Sequence, residues 1–241
     1  MAYERKEPKS IKLWSMDIKK VYLGSTQIRP WWWQPWVNTL AYYPLSDDFN
    51  DYSWNSYNLT NNSTQLTTLD WVKCVDMNNS YCTASFAVTS LPYTIVCWNK
   101  AKTSWWNKAL SIQWQYSGSW WWSWIIIWEW SGTNYIWVRY GNSTDQIGGI
   151  SPYAIDTNWH LYIVTFNTDW CYVYADWQQV WNPKQSLTNS VLNTTPFRIW
   201  ANYDWVVLWN GYMWAVIIED KVWTAQEVSD YYDLTKGNYW L

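Results

Sequence analysis

The sequence predicts an all-β chain: an antiparallel two-sheet sandwich with one short C-terminal helix and an N-terminal arm. Three observations predict it. Short runs of alternating or wholly apolar residues recur along the chain, separated by polar turn residues. Only 15% of the 241 residues are charged, while Asn, Thr, Ser and Tyr abound, which suits sheets joined by polar loops. A single helix start is written clearly, at Thr224-Ala-Gln-Glu227.

Residues 1–36 differ from the rest. Through residue 30 there are seven basic residues (Arg5, Lys6, Lys9, Lys12, Lys19, Lys20 and Arg29) and three acids, net +4; residues 31–241 hold nine basic and 16 acidic residues, net −7, summing to the −3 of the whole. A basic arm on an acidic body predicts a tether or docking segment. Within it, Lys19–Ile28 reads as strand-forming with a turn at Gly24, and residues 29–35, bounded by Pro30 and Pro35, read as a linker to a domain spanning 37–241. The basic residues are too sparse, and lack the interleaved stacking partners, for a nucleic-acid surface. No apolar run reaches 18 residues, so no transmembrane helix is expected. The charged start MAYERKEPKS has no apolar core, so no secretory signal is expected either.

From residue 37 the strands follow in order. Leu40–Leu45 is a strand that Pro44 confines to an edge or an end. Cys82–Val88 alternates. Tyr93–Trp98 places Tyr93, Ile95 and Cys97 on one face and Thr94, Val96 and Trp98 on the other. Asn134–Tyr140 follows. Trp159–Phe166 is apolar on both faces, hence central, with Trp159 and Ile163 buried. Cys171–Val180 is a hairpin around Asp176-Trp177. Met213–Glu219 is a late central strand, and Glu219-Asp220 reads as a solvated turn. The capping box at Thr224, followed by Val228, Tyr231 and Tyr232, starts the helix.

One feature of the composition is abnormal. The chain has 28 Trp and only 8 Gly, where about 7% glycine, roughly 17 residues, is usual. Four of the 14 Asp residues (Asp70, Asp169, Asp176 and Asp204) precede Trp and none precedes Gly, although Asp-Gly is the dipeptide that tight hairpins use. The stretch SGSWWWSW (117–124) otherwise reads as a Gly/Ser loop. These counts predict that many tryptophan codons are UGA, read as glycine in the source organism. The positions assigned to glycine are Trp54, Trp71, Trp105, Trp106, Trp120, Trp121, Trp122, Trp124, Trp170, Trp177, Trp181, Trp205 and Trp214; Trp36, Trp98, Trp159 and Trp223, among apolar or strand neighbours, read as true tryptophan.

Four segments carry a resemblance. The body opens with AYYPLSDDFNDYSWNSYNLT, in which Asp51-Tyr52-Ser53-Trp54-Asn55 stands where the laminin-G-like, concanavalin-A-like jelly-roll family has Asp-x-Ser-Gly-Asn. Trp159–Phe166 is similar to the family's Trp-His strand, and Asp176-Trp177 to the Asp-Gly turn after it. The end, WNGYMWAVIIEDKVWTAQEVSDYY, resembles its closing strand and helix. The resemblance covers roughly residues 37–235. It implies a jelly roll whose rim loops bind glycans, proteins or Ca²⁺, and thus a lectin-like binding or adhesion module. A phage tail or virion protein, at a virion or cell surface and cytoplasmic before assembly, fits the missing signal and the basic arm.

The chemistry-bearing residues agree with a binding module better than with an enzyme. Hydrolases on this fold place paired carboxylates along one strand, and with only five Glu (Glu4, Glu7, Glu129, Glu219 and Glu227) that spacing is absent. No nucleophile elbow or phosphate loop is present. The lone His160 reads as a half-buried or exposed strand residue. Asp47, Asp48 and Asp51 make an oxygen-rich loop, the ligand type Ca²⁺ takes, or else an Asx turn. Cys74, Cys82, Cys97 and Cys171 form no CxxC and read as free thiols. If truly tryptophan, Trp105, Trp106, Trp120, Trp121 and Trp122 would make a sugar-stacking platform. Two other readings stay open: a structural decoration of a virion or cell surface without glycan binding, in which residues 1–36 could mediate oligomerisation or assembly, and a degenerate glycoside hydrolase.

Overall fold

The structure, a computed structural model, describes residues 38–78, 80–88, 91–102, 156–168, 170–180, 197, 199 and 211–237, together with the backbone at 21–23, 26–28, 108–117, 121–130, 133–141, 146–151, 181, 198 and 238. It divides into two compact units, residues 1–36 and 37–241. In the first, β1 (Val21–Leu23) pairs antiparallel with β2 (Thr26–Ile28), ending at Leu23↔Thr26; the turn expected at Gly24 lies outside the described residues.

The second unit is a sandwich of antiparallel sheets. Its strands are β3 (Thr39–Tyr43), β4 (Thr60–Asn62), β5 (Gln65–Leu69), β6 (Val72–Asp76), β7 (Tyr81–Thr83), β8 (Tyr93–Ala101), β9 (Lys108–Ser117), β10 (Trp121–Trp130), β11 (Thr133–Gly141), β12 (Gln146–Ser151), β13 (Trp159–Phe166), β14 (Cys171–Ala175), β15 (Gln178–Trp181), β16 (Arg198–Ile199) and β17 (Gly211–Glu219). The large sheet runs β15-β14-β13-β8-β17-β6-β5, with β3 pairing the second half of β17. Facing it is the three-stranded sheet β16-β7-β4, and β9 of the four-stranded sheet β12-β11-β10-β9 lies alongside β16.

The central strands β8, β13 and β17 are buried on both faces, as their continuous apolar runs require. Tyr93, Ile95 and Cys97 join Tyr162, Val164, Phe166, Val216 and Ile218 in a core closed from the other layer by Cys82, Ala84, Phe86, Val88 and Phe197. The alternation expected over 82–88 is present in burial although the strand itself ends at Thr83; beyond it Ala84 donates to the Phe197 carbonyl (2.8 Å) and Phe197 to that of Phe86 (2.6 Å). Trp159 and Ile163 are buried, as expected.

The opposite face of the large sheet is covered by the one α-helix among the described residues, α1 (Ala225–Thr235). It starts where the sequence places it. Thr224 Oγ1 accepts from the Glu227 amide (3.2 Å), and Glu227 Oε2 accepts from the Thr224 amide (2.8 Å). Val228, Tyr231 and Thr235 face the sheet. The Trp98 indole N–H donates to Thr235 Oγ1 (3.1 Å), and its ring stacks on Tyr232 at 6.0 Å.

Candidate functional site

The loop between β3 and β4 is organised by one carboxylate. Asp51 is 8% exposed. Its Oδ1 accepts from the amides of Tyr42 (2.9 Å) and Ser53 (2.8 Å), and its Oδ2 from the Tyr57 amide (2.8 Å) and the Ser53 hydroxyl (2.7 Å). Both lone-pair sets are thus taken by the chain, which is the Asx-turn arrangement. Asp48 is half-buried, accepting from the Asn50 amide (3.1 Å), the Asn50 side chain (2.7 Å) and the Tyr52 hydroxyl (3.1 Å). Asp47 pairs with Lys73 of β6, and that ammonium, with the Ser46 hydroxyl, holds its carboxyl below the usual range. The three candidate calcium ligands therefore serve three different partners. Among the described residues no group of three or more His, Cys, Asp or Glu side chains could hold a metal ion.

This loop carries a feature that composition alone does not reveal. Tyr52 is 45% exposed, with its hydroxyl tethered to Asp48 and its ring edge-on to Tyr42 at 6.4 Å. The result is a half-exposed aromatic ring tethered to a half-buried carboxylate. The sequence holds only a faint signal of it: Asp48 and Tyr52 flank the residue that shapes the turn.

Of the tryptophan platform, positions 105, 106 and 120 lie outside the described residues. Trp121 and Trp122 open β10 and pair with Ser117 and Tyr116 of β9, so the expected loop over 117–124 is corrected to a strand from residue 121. The physical reason is the run itself: WWSWIIIWEW is aromatic and β-branched, and such side chains favour a pleated strand whatever small residues precede them.

Six of the tryptophans whose side chains the structure describes lie at two extremes of exposure, with Trp170 and Trp214 between them. Trp98, Trp159 and Trp223 are 0%, 3% and 6% exposed. Trp54, Trp71 and Trp177, each at a turn, are 80%, 88% and 55% exposed. Trp71 has φ 66°, following Asp70 at φ 49°. At the β14–β15 turn the positive φ, 56°, falls on Asp176 rather than on Trp177, a correction to the expectation for residue 177. Asp tolerates the left-handed region, and here its carboxylate is fixed by the Leu161 amide (3.1 Å) and His160 Nδ1 (3.1 Å). Trp170 and Trp214 are half-buried, the former against Tyr172 at 4.0 Å and the latter within β17. Residue 205 lies outside the described residues.

Two titratable groups are held inside networks. His160 lies between Asp176 and Asp156, with Nε2 2.9 Å from Asp156 Oδ1. Burial alone would lower its pKa, but the Asp176 and Asp156 carboxylates more than offset burial and hold it above the ordinary 6.5. Glu219, expected in a solvated turn, is 2% exposed. It accepts from the Trp223 indole (2.6 Å) and the Thr39 hydroxyl (3.2 Å), with Lys221 at 3.5 Å. Burial raises its carboxyl above the usual value against these contacts. The indole four residues on was the available sign that Glu219 turns inward. All four cysteines are free and buried; burial pushes Cys74, Cys97 and Cys171 up to about 12 and Cys82 to about 11.

No protein family and no curated protein matches the sequence. Solved structures share the fold. Domain 4 of AbnA, a GH43 extracellular arabinanase from Geobacillus stearothermophilus, in complex with arabinotriose, superposes with a TM-score of 0.65 at 16% identity, over 80% of this chain and 97% of that one. The binding domain of Paraclostridial Mosquitocidal Protein 1 gives 0.60 at 16% identity, over 81% of this chain and 52% of that one. The ligand-binding domain of botulinum neurotoxin serotype D, in complex with N-acetylneuraminic acid, gives 0.61 at 13% identity, over 81% and 50%. The chain spans about half the length of the two toxin domains.

Proposed function

We propose that residues 37–241 form a non-catalytic glycan-binding module of laminin-G-like type, attached through the basic residues 1–36 to a virion or cell surface. The observation that supports it most is the shared fold with an arabinanase domain in complex with arabinotriose, because that likeness covers nearly the whole of that domain. The Tyr52 face supplies the contact a sugar needs. An aromatic ring stacks on the apolar face of a pyranose or furanose, and an adjacent carboxylate accepts its hydroxyls. Asp48 occupies that adjacent position and already orients the ring.

The test is an oligosaccharide array carrying arabinan and sialylated probes, read with the intact chain and with Tyr52→Ala. Binding that falls at least tenfold in the variant, at unchanged melting temperature, supports the module and its site. Binding untouched by the substitution moves the site elsewhere on the rim. A blank array overturns glycan recognition in favour of a surface decoration protein.

A further inference from the structure

We propose that the codon for residue 71 is UGA and that the organism making this protein reads it as glycine, as it does at residues 54 and 177. The proposal does not rest on the glycan reading. Its firmest ground is the β5–β6 hairpin. The strands pair down to Leu69↔Val72, leaving Asp70 and Trp71 as a two-residue connection. Both have positive φ, 49° and 66°. That is the type I′ turn, whose handedness matches the twist of the strands and whose preferred sequence is Asn-Gly or Asp-Gly. An L residue there brings Cβ against the following carbonyl; Asp relieves this with local hydrogen bonds, and an indole has no such recourse.

The second ground is a contrast among the described tryptophans, of which three at turns are exposed, three are buried, and Trp170 and Trp214 are half-buried. Among the described residues the exposed large hydrophobics are Tyr52, Leu66 and these three tryptophans. Trp98 and Trp223 instead lie in the core with their indole N–H groups donating to Thr235 and Glu219, and Trp159 is buried in β13. True tryptophan is most often largely buried, so three indoles at turns that are 55% to 88% exposed stand apart from it. A mixture of true tryptophan and misread glycine accounts for the contrast, since glycine concentrates at turns and tryptophan in cores. Trp54 sits in a chain reversal held at both ends by Asp51, through the amides of Ser53 and Tyr57, and its side chain is directed into water. The composition completes the case: 28 Trp against 8 Gly, with Asp-Trp four times and Asp-Gly never.

The glycine assignment is confined to turn positions. Trp121, Trp122 and Trp124 lie in β10, where glycine weakens a strand, so their identity is left to the codon. The decisive experiment reads the gene and the native protein together. The expected gene has UGA at 54, 71 and 177 and UGG at 98, 159 and 223. Peptide mass mapping of protein from the native source is expected to give glycine at 71, lighter than tryptophan by one methylindole-for-hydrogen exchange. UGG at 71, or a native peptide with the mass of tryptophan there, overturns the proposal. A recombinant chain with Trp54, Trp71 and Trp177 all changed to Gly gives a second reading. It should reproduce the native protein's ultraviolet absorbance per chain more closely than the tryptophan form, and a worse match overturns the assignment at those sites.

Discussion

At the scale of single residues, Asp51 is the side chain on which the β3–β4 loop depends. It accepts four hydrogen bonds from a position 8% exposed, so no water stands ready to replace it. Asp51→Ala leaves the Tyr42 and Tyr57 amides short of an acceptor and should cost about 2–4 kcal/mol, measured by urea unfolding. His160 sets a pH dependence of known sign. Its pKa is raised on folding by Asp176 and Asp156, so its contribution to stability is complete below the unfolded value near 6.5 and is lost as pH rises through the higher folded value. Unfolding free energies measured across that window should fall for the parent and stay flatter for His160→Gln. The sequence marks Asp51 through the Asp-x-Ser-x-Asn pattern around it. It does not mark the carboxylates at His160, because Asp176 reaches the ring only when β13 and β14 pair.

At the scale of elements, strands were legible where one periodicity had no competitor. Over 82–88 the alternation of Cys82, Ala84, Phe86 and Val88 survives in burial even past the end of β7, because the facing Phe197 segment continues the pairing. The run after Ser117 was misread because Gly118 and Ser119 suggest a loop, while the aromatic and isoleucine side chains after them extend the hairpin from residue 121. The helix start was legible, since a capping box is local chemistry; Thr224→Ala should cost about 1 kcal/mol and loosen α1 from Trp98, visible in near-ultraviolet circular dichroism. The β5–β6 hairpin makes the opposite prediction. Trp71→Gly removes a side chain from a left-handed position and should raise stability by about 1 kcal/mol, a gain of a few degrees in Tm for a domain of this size.

At the scale of the whole molecule, the change of charge near residue 30 and the two compact units divide the chain at nearly the same place. Removing residues 1–36 should therefore leave the melting temperature of the remainder within a degree or two; a large drop in a thermal melt would mean that the arm supplies part of the core. The sandwich class was readable because strand lengths and turn residues are local. Which strands are neighbours was not: β17 joins β8 on one side and both β3 and β6 on the other, an order fixed only by packing. The four buried cysteines lie on β6, β7, β8 and β14, in both layers, with every thiol far from its reactive anion. The chain thereby contains its own footprinting probes. Pulsed alkylation at neutral pH should leave the native protein unlabelled, and the order in which Cys74, Cys82, Cys97 and Cys171 gain label as denaturant rises would map, strand by strand, where the sandwich first opens.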